Sequence, residues 1–184
     1  MLPRHKYLLT YRYAEIIHDL TVAFCQKFLS GFDNRRTCEQ MIQAARSGKQ
    51  NIIEGVNQSR TSKKGEIKLL GVAKASLEEL LADYEDFLRQ RNLKIWDKTD
   101  KRVEEFRKLA YRLTDLSNLS NLGNLREKPR LPEDPEEAAN FLLTLCHQTT
   151  FLLDRQIAKA EETFIKEGGY TEKLFEKRLR VKYK

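Results

Sequence analysis

Leu70, Ala73, Leu77, Leu80, Tyr84 and Phe87 recur at steps of 3, 4, 3, 4 and 3. This rhythm holds one apolar stripe against a neighbouring helix over about five turns, and it is the period of coiled-coil-like bundle packing. It predicts a helix over 63–91. Leu69, Leu81 and Leu88 widen the stripe, so this helix is expected to touch more than one neighbour. The same period recurs elsewhere. Ala14, Ile17, Thr21, Phe24 and Phe28 place a helix over 12–30, with Gly31 as its stop. Cys38, Met41, Ala45, Gly48, Ile52 and Gly55 place one over 35–58, capped by Thr37 or Asn34. Val103, Phe106, Ala110 and Leu113 place one over 98–116. Glycine in a helix interior costs about 1 kcal/mol relative to alanine. Gly48 and Gly55 in one seam therefore imply close approach of a neighbouring helix. Four such helices joined by short polar turns predict an all-α, up-down-up-down four-helix bundle over residues 1–116.

The period then changes. Leu116, Leu119, Leu122 and Leu125 recur every third residue, a spacing that suits a turn-rich or 3₁₀-like segment. Pro129, Pro132 and Pro135 follow. Residues 117–134 are expected to form a linker that lays its leucines along the bundle. Residues 135–184 are expected to form a C-terminal helical extension of one long helix and one short basic helix. Asp134-Pro135-Glu136-Glu137 opens the long helix, with a cap, an N1 proline and early acids. Gly168-Gly169 ends it. Phe141, Leu142, Leu143, Leu145, Cys146, Phe151, Leu152 and Leu153 surround most of its circumference, which predicts burial on two sides. The short helix begins at Thr171 and carries Leu174, Phe175 and Leu179 beside its bases.

The formal net charge is +7. Residues 1–12 and 172–184 supply all of it, and the body between them is neutral. Within that body the signs separate: residues 35–74 are strongly basic, whereas 78–86 hold Glu78, Glu79, Asp83, Glu85 and Asp86 and no base. A basic region beside an acidic one can attract phosphates, form a solvated face, or pair with the acidic stretch of another subunit. No apolar run approaches the ~20 residues that a membrane-spanning helix needs. The opening Met1-Leu-Pro-Arg-His-Lys is too polar for a signal peptide, so a cytoplasmic location is expected. Cys25, Cys38 and Cys146 are odd in number and form no C-x-x-C, which argues against a disulfide framework or a zinc ribbon.

Little points to catalysis. Glu15 and His18 have the Glu-x-x-His spacing of di-iron bundles, but such a site needs a second copy of the motif, and no metal is expected. His147, Thr150 and Asp154 share one helix face, and His147 is read as a buried, hydrogen-bonded histidine. Phosphate-loop, dinucleotide and nucleophile-elbow motifs are missing from the sequence. The expectation is a protein without enzymatic activity or cofactor.

Two stretches carry a family resemblance. Asn51-Ile52-Ile53-Glu54-Gly55 resembles an N-I-x-E-G signature, and Ala73-Lys74-Ala75-Ser76-Leu77-Glu78-Glu79-Leu80 resembles an A-R-G-S-L-x-E-L stretch. Both belong to the small bacterial four-helix-bundle family encoded in intervening sequences of large-subunit ribosomal RNA genes. The accessory variability determinant of diversity-generating retroelements is similar to the same family. Residues 135–184 look like the extension of its four-helix-bundle suffix variant. The resemblance implies a bundle that assembles into a ring, typically a pentamer, with a basic face suited to nucleic acid. It also implies structural roles for Asn51, Glu54, Gly55, Ser76 and Glu79 near the small-residue seam.

Two functional readings follow. In the first, the chain binds nucleic acid (RNA or an RNA–DNA intermediate) through backbone phosphates. Its candidate contacts are Arg35, Arg36, Arg46, Lys49, Arg60, Lys63 and Lys64, with Arg178, Arg180 and Lys182 of the tail. In the second, the basic face docks an acidic protein partner, such as a reverse transcriptase. The small-residue seam and the wide stripe of the 63–91 helix predict a homo-oligomer.

Overall fold

The computed structural model describes residues 3–114 and 129–183. All regular secondary structure among the described residues is helical: α1 (Leu9–Phe28), α2 (Arg35–Gln58), α3 (Lys63–Gln90), α4 (Lys101–Thr114), α5 (Pro135–Glu167) and α6 (Tyr170–Lys182). Short 3₁₀ turns at Arg4–Tyr7 and Phe32–Asn34 precede α1 and α2. The leucine-repeat linker expected at 117–134 falls largely outside the described residues.

Local chemistry sets the helix ends. Ser62 Oγ accepts from the Gly65 amide at 2.9 Å and opens α3. Asp134 accepts from the Glu137 amide at 2.9 Å and opens α5, as the sequence predicts. α4 starts three residues later than expected. Asp97 accepts from the amide and hydroxyl of Thr99, and Asp100 accepts from the Arg102 amide, so two aspartates hold a turn at 97–100. α1 ends at Phe28, ahead of Gly31.

α1, α2, α3 and α5 enclose the core, each packing on the next in the cycle α1–α2–α3–α5–α1. The side chains give the directions. His18 meets Lys49 and Cys25 meets Cys38, so α1 and α2 are antiparallel. Ser47 meets Ser76 and Gly55 lies against Glu66 and Leu70, so α2 and α3 are antiparallel. Lys74 meets Asp154 at 2.7 Å, and the Trp96 amide meets Asn140 at 2.8 Å, so α5 runs against α3. Thr10 meets Gln156 at 2.8 Å, and Lys27 pairs with Glu133 just ahead of α5, so α5 also runs against α1.

This arrangement differs from the expected one in its fourth member. The 98–116 helix was expected inside the bundle and the 135–166 helix outside it. Instead α5 sits between α1 and α3, while α4 lies against α5 and, more lightly, α1. The reason is the width of the apolar arc. α5 buries every residue from Ala138 to Cys146, whereas α4 buries only Val103, Ala110, Leu113 and Thr114.

The centre of the core is aromatic. Tyr84, Phe24 and Phe87 meet edge to face, with Phe24 5.1 Å from Tyr84 and 4.8 Å from Phe87 between ring centroids. The Tyr84 hydroxyl, fully buried, bonds Thr21 at 2.8 Å across the diagonal from α3 to α1. Met41, Ala45 and Ile52 are fully enclosed, as their stripe predicts. At Gly48 a β-carbon would stand 2.9 Å from two carbons of the buried Leu77, so the glycine is required by the approach of α2 to α3. At Gly55 the nearest contact would be 3.4 Å, an ordinary distance.

Gly48→Ala is therefore expected to lower unfolding stability by about 1–3 kcal/mol through overpacking, against its gain in helix propensity. Gly55→Ala is expected to be close to neutral. Urea denaturation of both variants measures the difference.

Candidate nucleic-acid interface

Antiparallel packing collects one set of helix ends. The start of α1, the 59–62 turn between α2 and α3, and the end of α5 lie together, with α6 leaving from the same end. The 3₁₀ turn at Arg4–Tyr7 packs on both α1 and α2 there. Arg60 and Lys64 are exposed and make no ion pair among the described residues; the same holds for Arg4. Lys6 is half-buried. α6 adds Arg178, Arg180 and Lys182, all exposed.

Lys63 differs from its neighbours. Its ammonium donates to Glu66 at 2.8 Å, and Glu66 is buried. A charged carboxylate at that depth depends on its partner. Lys63 thus carries a structural duty that its place beside a polar turn did not reveal.

The remaining candidates are spread along α2. Arg35 and Arg36 stand at its opposite end, roughly 35 Å from the 59–62 turn by helix rise. Arg35 is paired with Glu39 at 3.0 Å. Arg36 lines a shallow groove between α2 and α3 with Gln40, Gln43, Ser47, Ser76 and Glu79. Arg46 and Lys49 lie on the side of α2 nearest α1. Lys49 donates to Nδ1 of His18 at 3.1 Å. Burial and, next, the Lys49 charge hold the His18 imidazole below its usual pKa. The candidate bases therefore form a cluster at one end and a scatter along α2, not one continuous face.

Of the motif residues, Asn51, Gly55 and Ser76 lie at the α2–α3 contact. Ser47, which the motifs do not contain, bonds Ser76 across the α2–α3 contact at 2.9 Å. Ser76 donates its one hydroxyl proton to the Val72 carbonyl of its own helix at 3.0 Å, so in that arrangement it accepts from Ser47. Asn51 donates to the Ser47 carbonyl at 2.9 Å and so steadies the bridge from one turn away. Glu54 and Glu79 are exposed, and Gly55 is buried against α3.

A second concavity of about 460 Å³ lies between α4, the 91–98 loop and α5. Trp96, which the sequence analysis passed over, anchors it. Its ring stacks with Phe106, its indole N–H donates to Glu136 at 2.8 Å, and the Arg102 guanidinium lies 3.5 Å from its centroid. His147 lines this cleft and is exposed, contrary to the buried reading. Its helix-face neighbour Asp154 is engaged by Lys74 at 2.7 Å. The three cysteines are free thiols. Cys25 and Cys146 are buried, and burial pushes the Cys25 thiol up to about 12.

The second half of α3 is the acidic counterpart of the basic end. Glu78, Glu79 and Asp86 are exposed there. Partial burial, then the charges of Glu79 and Asp86, push the Asp83 carboxyl up to about 6. No protein-family model matches the chain, and neither a curated protein nor a solved structure does so. The class that fold and surface define is thus an all-helical, charge-segregated protein. No helix among the described residues is long and apolar enough to cross a membrane.

Asp83 makes a pH prediction. Its carboxyl ionises near its ordinary value in the unfolded chain and only near pH 6 in the folded one, so the folded state holds more protons between these values. Stability from this residue is greatest below about pH 4 and falls as pH rises to about 6. Asp83→Asn is expected to raise the melting temperature at pH 7.5 and to change it little at pH 4, as calorimetry at both values tests.

Proposed function

We propose that this chain is a non-enzymatic nucleic-acid-binding protein, a four-helix bundle of α1, α2, α3 and α5 that holds single-stranded RNA through its phosphates. The observation that carries the reading is the convergence of the N-terminal 3₁₀ turn, the α2–α3 turn and the end of α5 at one end of the core. It supports a shared basic end for Arg4, Arg60 and Lys64, none of which is consumed by an ion pair among the described residues, and α6 leaves from that end with its own bases. Long flexible bases on exposed ends can follow an irregular phosphate chain without reading base edges. The resemblance at Asn51–Gly55 and Ala73–Leu80 supports the same reading, because that family is expected to meet nucleic acid with a basic face.

The test is fluorescence anisotropy with a labelled single-stranded RNA of mixed sequence, titrated at several salt concentrations. Log affinity should fall linearly with log salt, by ~0.7 per phosphate contact. Arg60→Glu with Lys64→Glu should weaken binding for all sequences and flatten that slope. Arg35→Glu with Arg36→Glu, at the far end of α2, should change it little. Lys63 is left intact because its loss would strand the buried Glu66. Absence of binding at low salt overturns the reading, and an equal effect of the two pairs overturns the location.

A further inference from the structure

No helix packs along α6 among the described residues. Among its residues none is buried, and Leu174, Phe175, Leu179 and Val181 stand exposed. A lone helix of this length is marginal in water, since most helical stability in proteins comes from packing an apolar face. At about 100° per residue, Tyr170, Leu174 and Val181 fall within one narrow stripe. Lys173, Lys177, Arg178, Arg180 and Lys182 flank that stripe on both sides, while Glu172 and Glu176 lie on the opposite side of the helix together with Phe175 and Leu179. The partner that fits this face is apolar along its centre and acidic along both rims.

The outer face of α3 has that chemistry. Gly71, Ala75 and Ala82 fall within about 40° of one another at its centre, with Val72, 41% exposed, about 60° from Ala75. The acids Glu78, Glu79, Asp83, Glu85 and Asp86 all lie within about 80° of Ala75 around the helix, where Glu78 meets Lys74 at 3.5 Å and Asp86 meets Arg89 at 2.7 Å in exposed ion pairs of the same helix. The two faces also match in length, since α6 spans about 20 Å and residues 71–86 about 22 Å. A β-carbon at Gly71 would meet nothing within 4 Å, so the chain itself leaves open space over this face. Gly48, by contrast, is required by Leu77.

We infer that α6 docks on the outer face of α3 of a second copy of this chain, apolar stripe on small-residue stripe, with its bases against the 78–86 acids. The two surfaces differ, so the contact is head-to-tail, and in a singly bound pair one copy keeps a free α3 face and the other a free α6. Assembly therefore proceeds beyond a dimer. The contact uses α6 and α3 and does not rest on the nucleic-acid reading.

Sedimentation velocity on the full chain tests it, without nucleic acid and at moderate salt. The parent should sediment at several times 21.6 kDa. Lys177→Glu with Arg178→Glu should reduce it to a monomer, and so should Glu78→Lys with Glu79→Lys. A chain carrying all four changes should assemble again, because the charges are exchanged and not lost. An equimolar mixture of the two double variants should assemble as the parent does, because the intact α6 of one meets the intact α3 of the other and the two altered surfaces are complementary to each other. Gly71→Leu should abolish assembly with an unchanged circular dichroism spectrum, which separates loss of contact from loss of fold. Arg60→Glu with Lys64→Glu should leave assembly intact, so failure here and failure of RNA binding are distinguishable. A monomeric parent overturns the inference, including one that binds anionic vesicles through α6. Assembly that survives either double variant, or that the fourfold variant does not restore, also overturns it.

Discussion

The whole arrangement depends on the burial of α5. From Ala138 to Cys146 it offers apolar side chains in every direction. Leaving such a surface in water costs roughly 25 cal/mol for each Å² exposed, so it must have walls on both sides. α1 and α3 supply them, and α2 closes the remaining gap through the Gly48–Leu77 approach. Once α5 fills the fourth place, alternate directions follow. The diagonal pair α1 and α3 is parallel, and this lets the Tyr84 hydroxyl reach Thr21 where Phe24 and Phe87 meet. A tyrosine hydroxyl buried without that partner would cost about 1–3 kcal/mol, so the bond also fixes the relative height of the two helices.

The order of directions has a functional consequence. Residues that are far apart in sequence (the start of α1, the α2–α3 turn and the end of α5) come to one end, and neighbours along α2 are separated. Arg36 and Arg60 lie in one basic stretch of sequence but are a helix length apart. The sequence shows that the chain ends are basic and that 78–86 is acidic. Only the packing shows that the basic segments share an end.

What was legible follows from what periodicity contains. The 3-4 rhythm reports that a helix has a buried side, and it located the buried stripes of α1, α2 and α3. It does not name the neighbour. The stripe at Val103, Phe106, Ala110 and Leu113 is as regular as that of α3, yet it covers α5 from outside. Breadth of the apolar arc was the better guide, and α5 already had it in the sequence. Local polar chemistry was legible where one motif decides it, as at Asp134. It was not legible where burial decides it. Lys63 and Glu66 are an ordinary i,i+3 pair on paper, and Glu66 becomes a buried carboxylate only because α3 meets the end of α2. Trp96 and Asn140 were missed because their bonds join segments some forty residues apart.

The two proposed contacts make related demands on α6. Phosphate and the 78–86 carboxylates both attract its bases, and Arg178, Arg180 and Lys182 cannot lie on RNA and in the groove of a neighbouring α3 at once. Sites that share a binding element are linked with opposite sign, and the linkage is reciprocal. RNA should dissociate the assembly to the same extent that assembly weakens RNA. Arg60 and Lys64 stand outside the shared helix, so they can keep hold of RNA while α6 is engaged. Charge segregation along one bundle would then let the same short helix choose between an anionic polymer and an anionic face of its own kind. Ionic strength would weaken both contacts. The one with the apolar stripe would be the more resistant, because Leu174 and Val181 contribute burial that salt does not screen.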